Sequence, residues 1–259
     1  MILLTFVGVM IPFIGTALGA ALVYFIKAEP GEVFKRALNG FAAGVMTAAS
    51  IWSLILPAIE SSERLGAFAF LPSCFGLIFG VGLLILIETL SKPFGVESKV
   101  NGLIGCDAKT KKMIFAVTLH NAPEGLAVGI VFAGYLSQNF GVTLAGAMAL
   151  SVGIAIQNFP EGAIVSLPLL SSKTGKTKSF LYGVISGVIE PIAALFAILF
   201  SVFVSNMMPY FLSFAAVAMI YVVINDLIPG SKSEDAETIG TLLFFLGFIV
   251  MMALDVALG

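Results

Sequence analysis

Eight apolar stretches, each about 20 residues or longer, succeed one another along this chain, and a helix needs that length to cross a hydrocarbon core roughly 30 Å thick. They run over Ile2–Ile26, Ala37–Ile59, Gly66–Leu90, Met113–Leu136, Val142–Leu170, Phe180–Val204, Pro209–Pro229 and Thr238–Leu258. Of the 259 residues, 59% are hydrophobic and 11% are charged, and the mean hydropathy is +1.08, which excludes an ordinary soluble domain. Within lipid every backbone N–H and C=O must be satisfied inside the protein, so runs of this length predict helices. The expected fold is an all-α polytopic membrane protein with eight transmembrane helices in a bundle. Connections between the runs are short, so residues 1–259 are expected to form one domain. The first run lacks a basic leader and is too long for a signal-peptide core, which predicts a retained span.

Orientation follows from the basic residues. Loops on one side carry Lys27, Lys35, Arg36, Lys92, Lys99, Lys109, Lys111, Lys112, Lys173, Lys176, Lys178 and Lys232, whereas the other side carries Arg64 alone. The first set is therefore expected in the cytosol. This places both termini on the extracytoplasmic side of the cytoplasmic (plasma) membrane, an inner membrane if the cell has two.

Two near-copies of one six-residue phrase interrupt the apolar pattern: His120-Asn121-Ala122-Pro123-Glu124-Gly125 in the fourth stretch and Gln157-Asn158-Phe159-Pro160-Glu161-Gly162 in the fifth. Intramembrane ionisable groups are costly and mark function, and simple interhelical glue does not call for the same phrase twice. His120 and Glu124 stand four apart and so share a helix face, as do Gln157 and Glu161. Asn121 and Asn158 add amide oxygens beside them. Pro123 and Pro160 lack an N–H and deprive Leu119 and Ile156 of helical partners for their carbonyls. At about 1.5 Å per residue, Glu124, Glu161 and Glu190 lie roughly 14 to 16 Å from the cytosolic ends of their stretches. Three helices thus bring a carboxylate to one layer near the midplane, with Met46 of the second stretch at a similar level.

Three ionised carboxylates there would each cost about 2.5 kcal/mol or more and need protons or cations to neutralise them. The stretches contain no intramembrane Lys or Arg to do so. One imidazole, several carboxylates and amides and the Met46 thioether suit a borderline transition metal better than Mg²⁺ or Ca²⁺. Zinc heads that set, followed by iron, manganese and cadmium.

On these paired motifs and the eight stretches, the chain resembles the ZIP (Zrt/Irt-like) family of divalent-metal transporters, in particular its bacterial GufA-type branch. The resemblance covers the whole chain. It implies a binuclear intramembrane metal site built from His120, Asn121, Glu124, Gln157, Asn158, Glu161, Glu190 and Met46. It also implies transport toward the cytosol by alternating access, with spans one, four, five and six moving against two, three, seven and eight. The metal would then be substrate, no cofactor would be needed, and a homodimer is implied. Two features depart from the family's pattern. Gln157 occupies a position where many members carry His, and the histidine-rich cytosolic loop is absent, leaving His120 as the single histidine.

Weaker signals surround the cluster. Met46, Ser50 and Ser53 recur along one face of the second stretch and sketch a path toward Glu60 and Glu63, whose charge would draw cations in. Asn225 and Asp226 lie near the cytosolic end of the seventh stretch, where an exit ligand would serve. Asp255 reads as an interfacial charge. Cys74 lies in an apolar run and Cys106 in a cytosolic loop beside Asp107, so no disulfide is expected. Nothing in the charge pattern suggests nucleic acid. The competing class is an intramembrane metal-dependent hydrolase with a metal-bound water near Glu124 or Glu161. A single histidine argues against it, since catalytic zinc usually keeps three strong protein ligands.

Overall fold

Pro, Gly and the apolar runs together decide where the helices start, bend and stop. The computed structural model describes residues 1–26, 31–94, 108–138, 142–167, 169, 175–200, 207–228 and 234–258, apart from the side chains of 87, 88, 90–94, 108–120, 226 and 258. Regular structure among the described residues is helical throughout. In chain order the α-helices are α1 (Ile2–Ala20), α2 (Glu32–Ala49), α3 (Leu56–Glu60), α4 (Leu71–Phe94), α5 (Ala108–Ser137), α6 (Leu144–Ser166), α7 (Lys176–Gly187), α8 (Ile189–Leu199), α9 (Met208–Val222) and α10 (Glu234–Leu258). Among the described residues, six continuous segments are long and apolar enough to cross a membrane: Ile2–Tyr24, Glu32–Glu60, Leu144–Ser166, Lys176–Leu199, Met208–Asn225 and Glu234–Ala257. Helices α4 and α5 are long as well, at 24 and 30 residues.

Irregularities fall where local chemistry demands them. The second segment passes from α2 into α3 through a π-helical stretch, Ser50–Ile55, just ahead of Pro57, whose missing N–H leaves the Ser53 carbonyl without an α-helical partner. Pro191 does the same to Gly187, and there α7 gives way to α8. The third stretch starts later than its hydropathy suggests. Gly66 takes φ +56°, a left-handed conformation that breaks the helix, so Glu63–Phe68 is a separate 3₁₀ segment and α4 begins at Leu71. The Thr143 hydroxyl caps the start of α6 by accepting from the Gly146 N–H at 2.9 Å.

Small residues let the helices meet in close pairs, as in other membrane bundles. A Cβ added at Gly15 or Gly162 would run into α6 or α1 backbone, respectively, so α1 and α6 are in backbone contact. Gly125 joins α5 to α8 in the same way, Gly44 joins α2 to α10, and Gly76 joins α4 to α9. Outer faces are apolar: Ile2 is 82% exposed, Ile78 71% and Val256 70%. Such extensive apolar exposure suits contact with lipid chains.

Candidate metal site

Both motif prolines lie inside unbroken helices, Pro123 in α5 and Pro160 in α6. The described polar side chains of the motifs point into the bundle, whereas Phe159 faces outward. Asn121, Glu124, Gln157 and Asn158 are fully buried, and Glu161 and Glu190 nearly so.

Hydrogen bonds tie these groups into a cluster. From α6, Gln157 Nε2 donates to Glu124 Oε1 of α5 at 2.5 Å and to Asn158 Oδ1 at 3.3 Å. From α5, Asn121 Nδ2 donates to Glu190 Oε1 of α8 at 2.8 Å and to the Ser186 carbonyl at 3.4 Å. Thr16 of α1 donates its hydroxyl to the same Glu190 oxygen at 2.8 Å. Glu124, Glu161 and Glu190 also act on one another electrostatically. An ionised carboxylate only accepts, so Gln157 and Asn121 turn their amide nitrogens toward Glu124 and Glu190.

The consequence lies in what remains open. Gln157 and Asn121 each commit their amide nitrogen, and Glu124 and Glu190 each have one oxygen held. Asn121 Oδ1, Glu124 Oε2, Gln157 Oε1 and Glu190 Oε2 are buried and make no hydrogen bond. Asn158 Nδ2 makes no hydrogen bond within 3.5 Å, although its side chain faces Glu124 and Glu190. An unsatisfied buried polar atom costs about 1–3 kcal/mol, more when charged. Four lone-pair donors left open in one buried cluster form an environment that a cation would relieve. Among the described residues no three His, Cys, Asp or Glu side chains are gathered tightly enough to hold an ion by themselves. Any ligand set drawn from these side chains is therefore mixed, with amide oxygens completing what the carboxylates begin.

The remaining predicted residues divide. The side chains of His120 and Asp226 lie outside the described residues, although α5 carries position 120; Cys106 and Asp107 lie outside them altogether. Met46 is fully buried in the apolar core shared with Val128 of α5 and Ile154 of α6. Ser50 returns its hydroxyl to the Met46 carbonyl at 2.8 Å and so bonds its own helix. Ser53 instead donates to Asp255 Oδ1 of α10 at 2.6 Å. The pair lines a cavity of about 290 Å³ with Trp52, Glu60 and Met208. Asp255 is therefore more than an interfacial charge: it is half-buried, and its Oδ2 makes no hydrogen bond. Asn225 donates to the Tyr221 carbonyl of its own helix at 2.9 Å. Thr16 is not legible in the sequence, because a threonine in an apolar span carries no signal until its neighbour across the interface is known.

A family model described as ZIP zinc transporter matches residues 110–255. The chain is 34% identical to zinc transporter ZIP11 of Xenopus tropicalis over 331 aligned residues, covering 100% of this chain and 98% of that protein. It is 35% identical to zinc transporter ZIPB of Bordetella bronchiseptica, covering 95% of this chain and 79% of the relative. Against zinc transporter GufA of Myxococcus xanthus the identity is 32%, covering 95% and 96%.

Proposed function

We propose, from the premise that this chain belongs to the ZIP zinc transporter family, that it carries divalent transition-metal ions, zinc foremost, across the membrane toward the cytosol. Iron, manganese and cadmium are the competing cargoes on ligand chemistry. The ion is substrate, held in passing by His120, Asn121 and Glu124 of α5, Gln157, Asn158 and Glu161 of α6, Glu190 of α8 and Met46 of α2. The observation that carries this reading is the set of open buried oxygens on Asn121, Glu124, Gln157 and Glu190. Amide and thioether donors hold a borderline metal less firmly than a Cys/His cage, which favours release.

The architecture we propose has eight spans, adding α4 and α5 to the six apolar segments, with both termini outside the cytoplasmic membrane. Transport proceeds by alternating access. The moving unit comprises spans one, four, five and six, which are α1, α5, α6 and α7–α8; the static unit comprises α2–α3, α4, α9 and α10. Backbone-contact pairing supports this division, because the pairs α1–α6 and α5–α8 fall in the first unit and α2–α10 and α4–α9 in the second. Ser53 and Asp255 lie on the entry path, Ser50 farther along it and Asp226 at the exit. A homodimer is the proposed assembly. Hydrolysis draws no support from relatives that bear transporter names.

The test is flux. Purified protein in liposomes should accumulate Zn²⁺, and Glu161→Ala and His120→Ala should each reduce the initial rate at least tenfold. Normal rates from both folded variants would defeat the site assignment.

A further inference from the structure

Glu190 is held by two donors on one oxygen, and one of them, Thr16, belongs to a helix outside the paired motifs. Thr16 is fully buried. Its single hydroxyl hydrogen has two acceptors in range, Glu190 Oε1 at 2.8 Å and the Pro12 carbonyl at 3.5 Å. The shorter contact, to Glu190, is the one the hydroxyl hydrogen makes.

The surroundings fix the hydroxyl there. A Cβ on Gly187 would meet Thr16 Cβ and Cγ2, each at 2.9 Å, so the threonine methyl fills the notch that this glycine leaves. The Thr16 carbonyl is pressed against Gly162, the last residue of the second motif. Thr16 therefore touches both the helix that precedes Glu190 and the helix that carries Gln157, Asn158 and Glu161.

We infer that Thr16 is a positioning residue for metal binding: its hydroxyl, with Asn121 Nδ2, ties down Glu190 Oε1 so that Oε2 is the oxygen presented to the ion. This rests on the transport reading above. With Oε1 held from two helices the carboxylate is restrained from rotating, so the metal meets a preorganised oxygen and a smaller ordering cost is paid on binding. Because α1 and α6 are in backbone contact, the hydroxyl travels with the site through the transport cycle. It sets affinity and leaves the rate of the conformational step untouched.

The test compares two pairs of side chains that differ only in the hydroxyl, Thr against Val and Ser against Ala at position 16, with Zn²⁺ uptake into proteoliposomes as the readout. Thr16→Val and Thr16→Ala should each raise KM about tenfold, the low end for a hydrogen bond to a charged group because Asn121 remains. Vmax should stay within about twofold, and Thr16→Ser should keep KM within about twofold of the parent. If Thr16→Val does not fold, the Ser and Ala variants still isolate the hydroxyl. Equal KM within each pair overturns the inference, and so does a Ser variant as weak as Ala, which would assign the effect to the methyl in the Gly187 notch. Failure of the parent protein to take up zinc would instead remove the transport reading and the inference with it.

Discussion

Adding one methyl group at Gly125 should damage metal binding while leaving the rest of the bundle intact. A Cβ there would lie 2.7 Å from Glu190 Cα and 2.8 Å from its carbonyl carbon, whereas ordinary contact begins at about 3.4 Å. These obstacles, and the still closer Glu190 carbonyl oxygen, are backbone atoms that no rotamer change can clear, so α5 and α8 must part by about 1 Å at the residue that supplies Glu190. Metal–ligand distances tolerate only about 0.2 Å. Overpacking of this kind costs about 1–3 kcal/mol. If it is relieved by moving Glu190, that strain equals roughly a 5- to 150-fold loss of affinity. Gly125→Ala should therefore raise KM for Zn²⁺ uptake into that range. Gly82→Ala is the control: nothing lies within 4 Å of its added carbon, and helix propensity favours alanine by up to about 1 kcal/mol. It should transport normally and melt no lower than the parent. A Gly125→Ala protein with the parent's KM would refute the claim that this contact sets the position of Glu190.

Further outcomes are expected elsewhere. Gln157→His supplies a stronger zinc ligand on the face shared with Glu161 and should tighten binding by calorimetry; unchanged affinity would count against position 157 as a ligand. Carboxylates must shed protons before they bind metal, so lowering pH on the entry side should raise KM for zinc; a KM flat between pH 8 and about pH 5 would contradict carboxylate ligation. Arg36 of α2 donates to the Leu227 and Ile228 carbonyls, each at 3.0 Å, capping the end of the π-helical segment Val223–Leu227. Arg36→Ala should lower stability by about 1–2 kcal/mol, read as a drop of a few degrees in melting temperature, the partial exposure keeping it at the low end. No shift would mean that solvent replaces the guanidinium at no cost.

The features legible in the sequence were those encoded locally. Apolar length marked the six long apolar segments found among the described residues, and the i, i+4 spacing of Gln157 and Glu161 placed them on one buried face. Helix ends were read less well where a single backbone torsion decides, as at Gly66, or where sequence polarity and helix propensity disagree, as in the polar first turn of α10 at Glu234–Glu237. In the sequence the amides read as oxygen donors alone. Their nitrogens prove to organise the carboxylates, and that depends on which acceptor a neighbouring helix presents. Thr16 with Glu190 and Ser53 with Asp255 are joined across 174 and 202 residues of chain. Tertiary contacts of that separation leave no periodic trace. Ser50 shows the converse: it shares the expected face with Ser53, yet an i−4 carbonyl satisfies its hydroxyl.

The central claim is that open oxygens from α5, α6 and α8 surround a passing cation, and anomalous diffraction from crystals grown with Zn²⁺ or Cd²⁺ addresses it most directly. The account predicts an anomalous peak within about 2.0–2.4 Å of oxygens of Glu124, Glu161 and Glu190 and of the amide oxygens of Asn121 and Gln157. Metal-replete crystals with no anomalous density inside this cluster, or with these carboxylates turned away from one another, would contradict it.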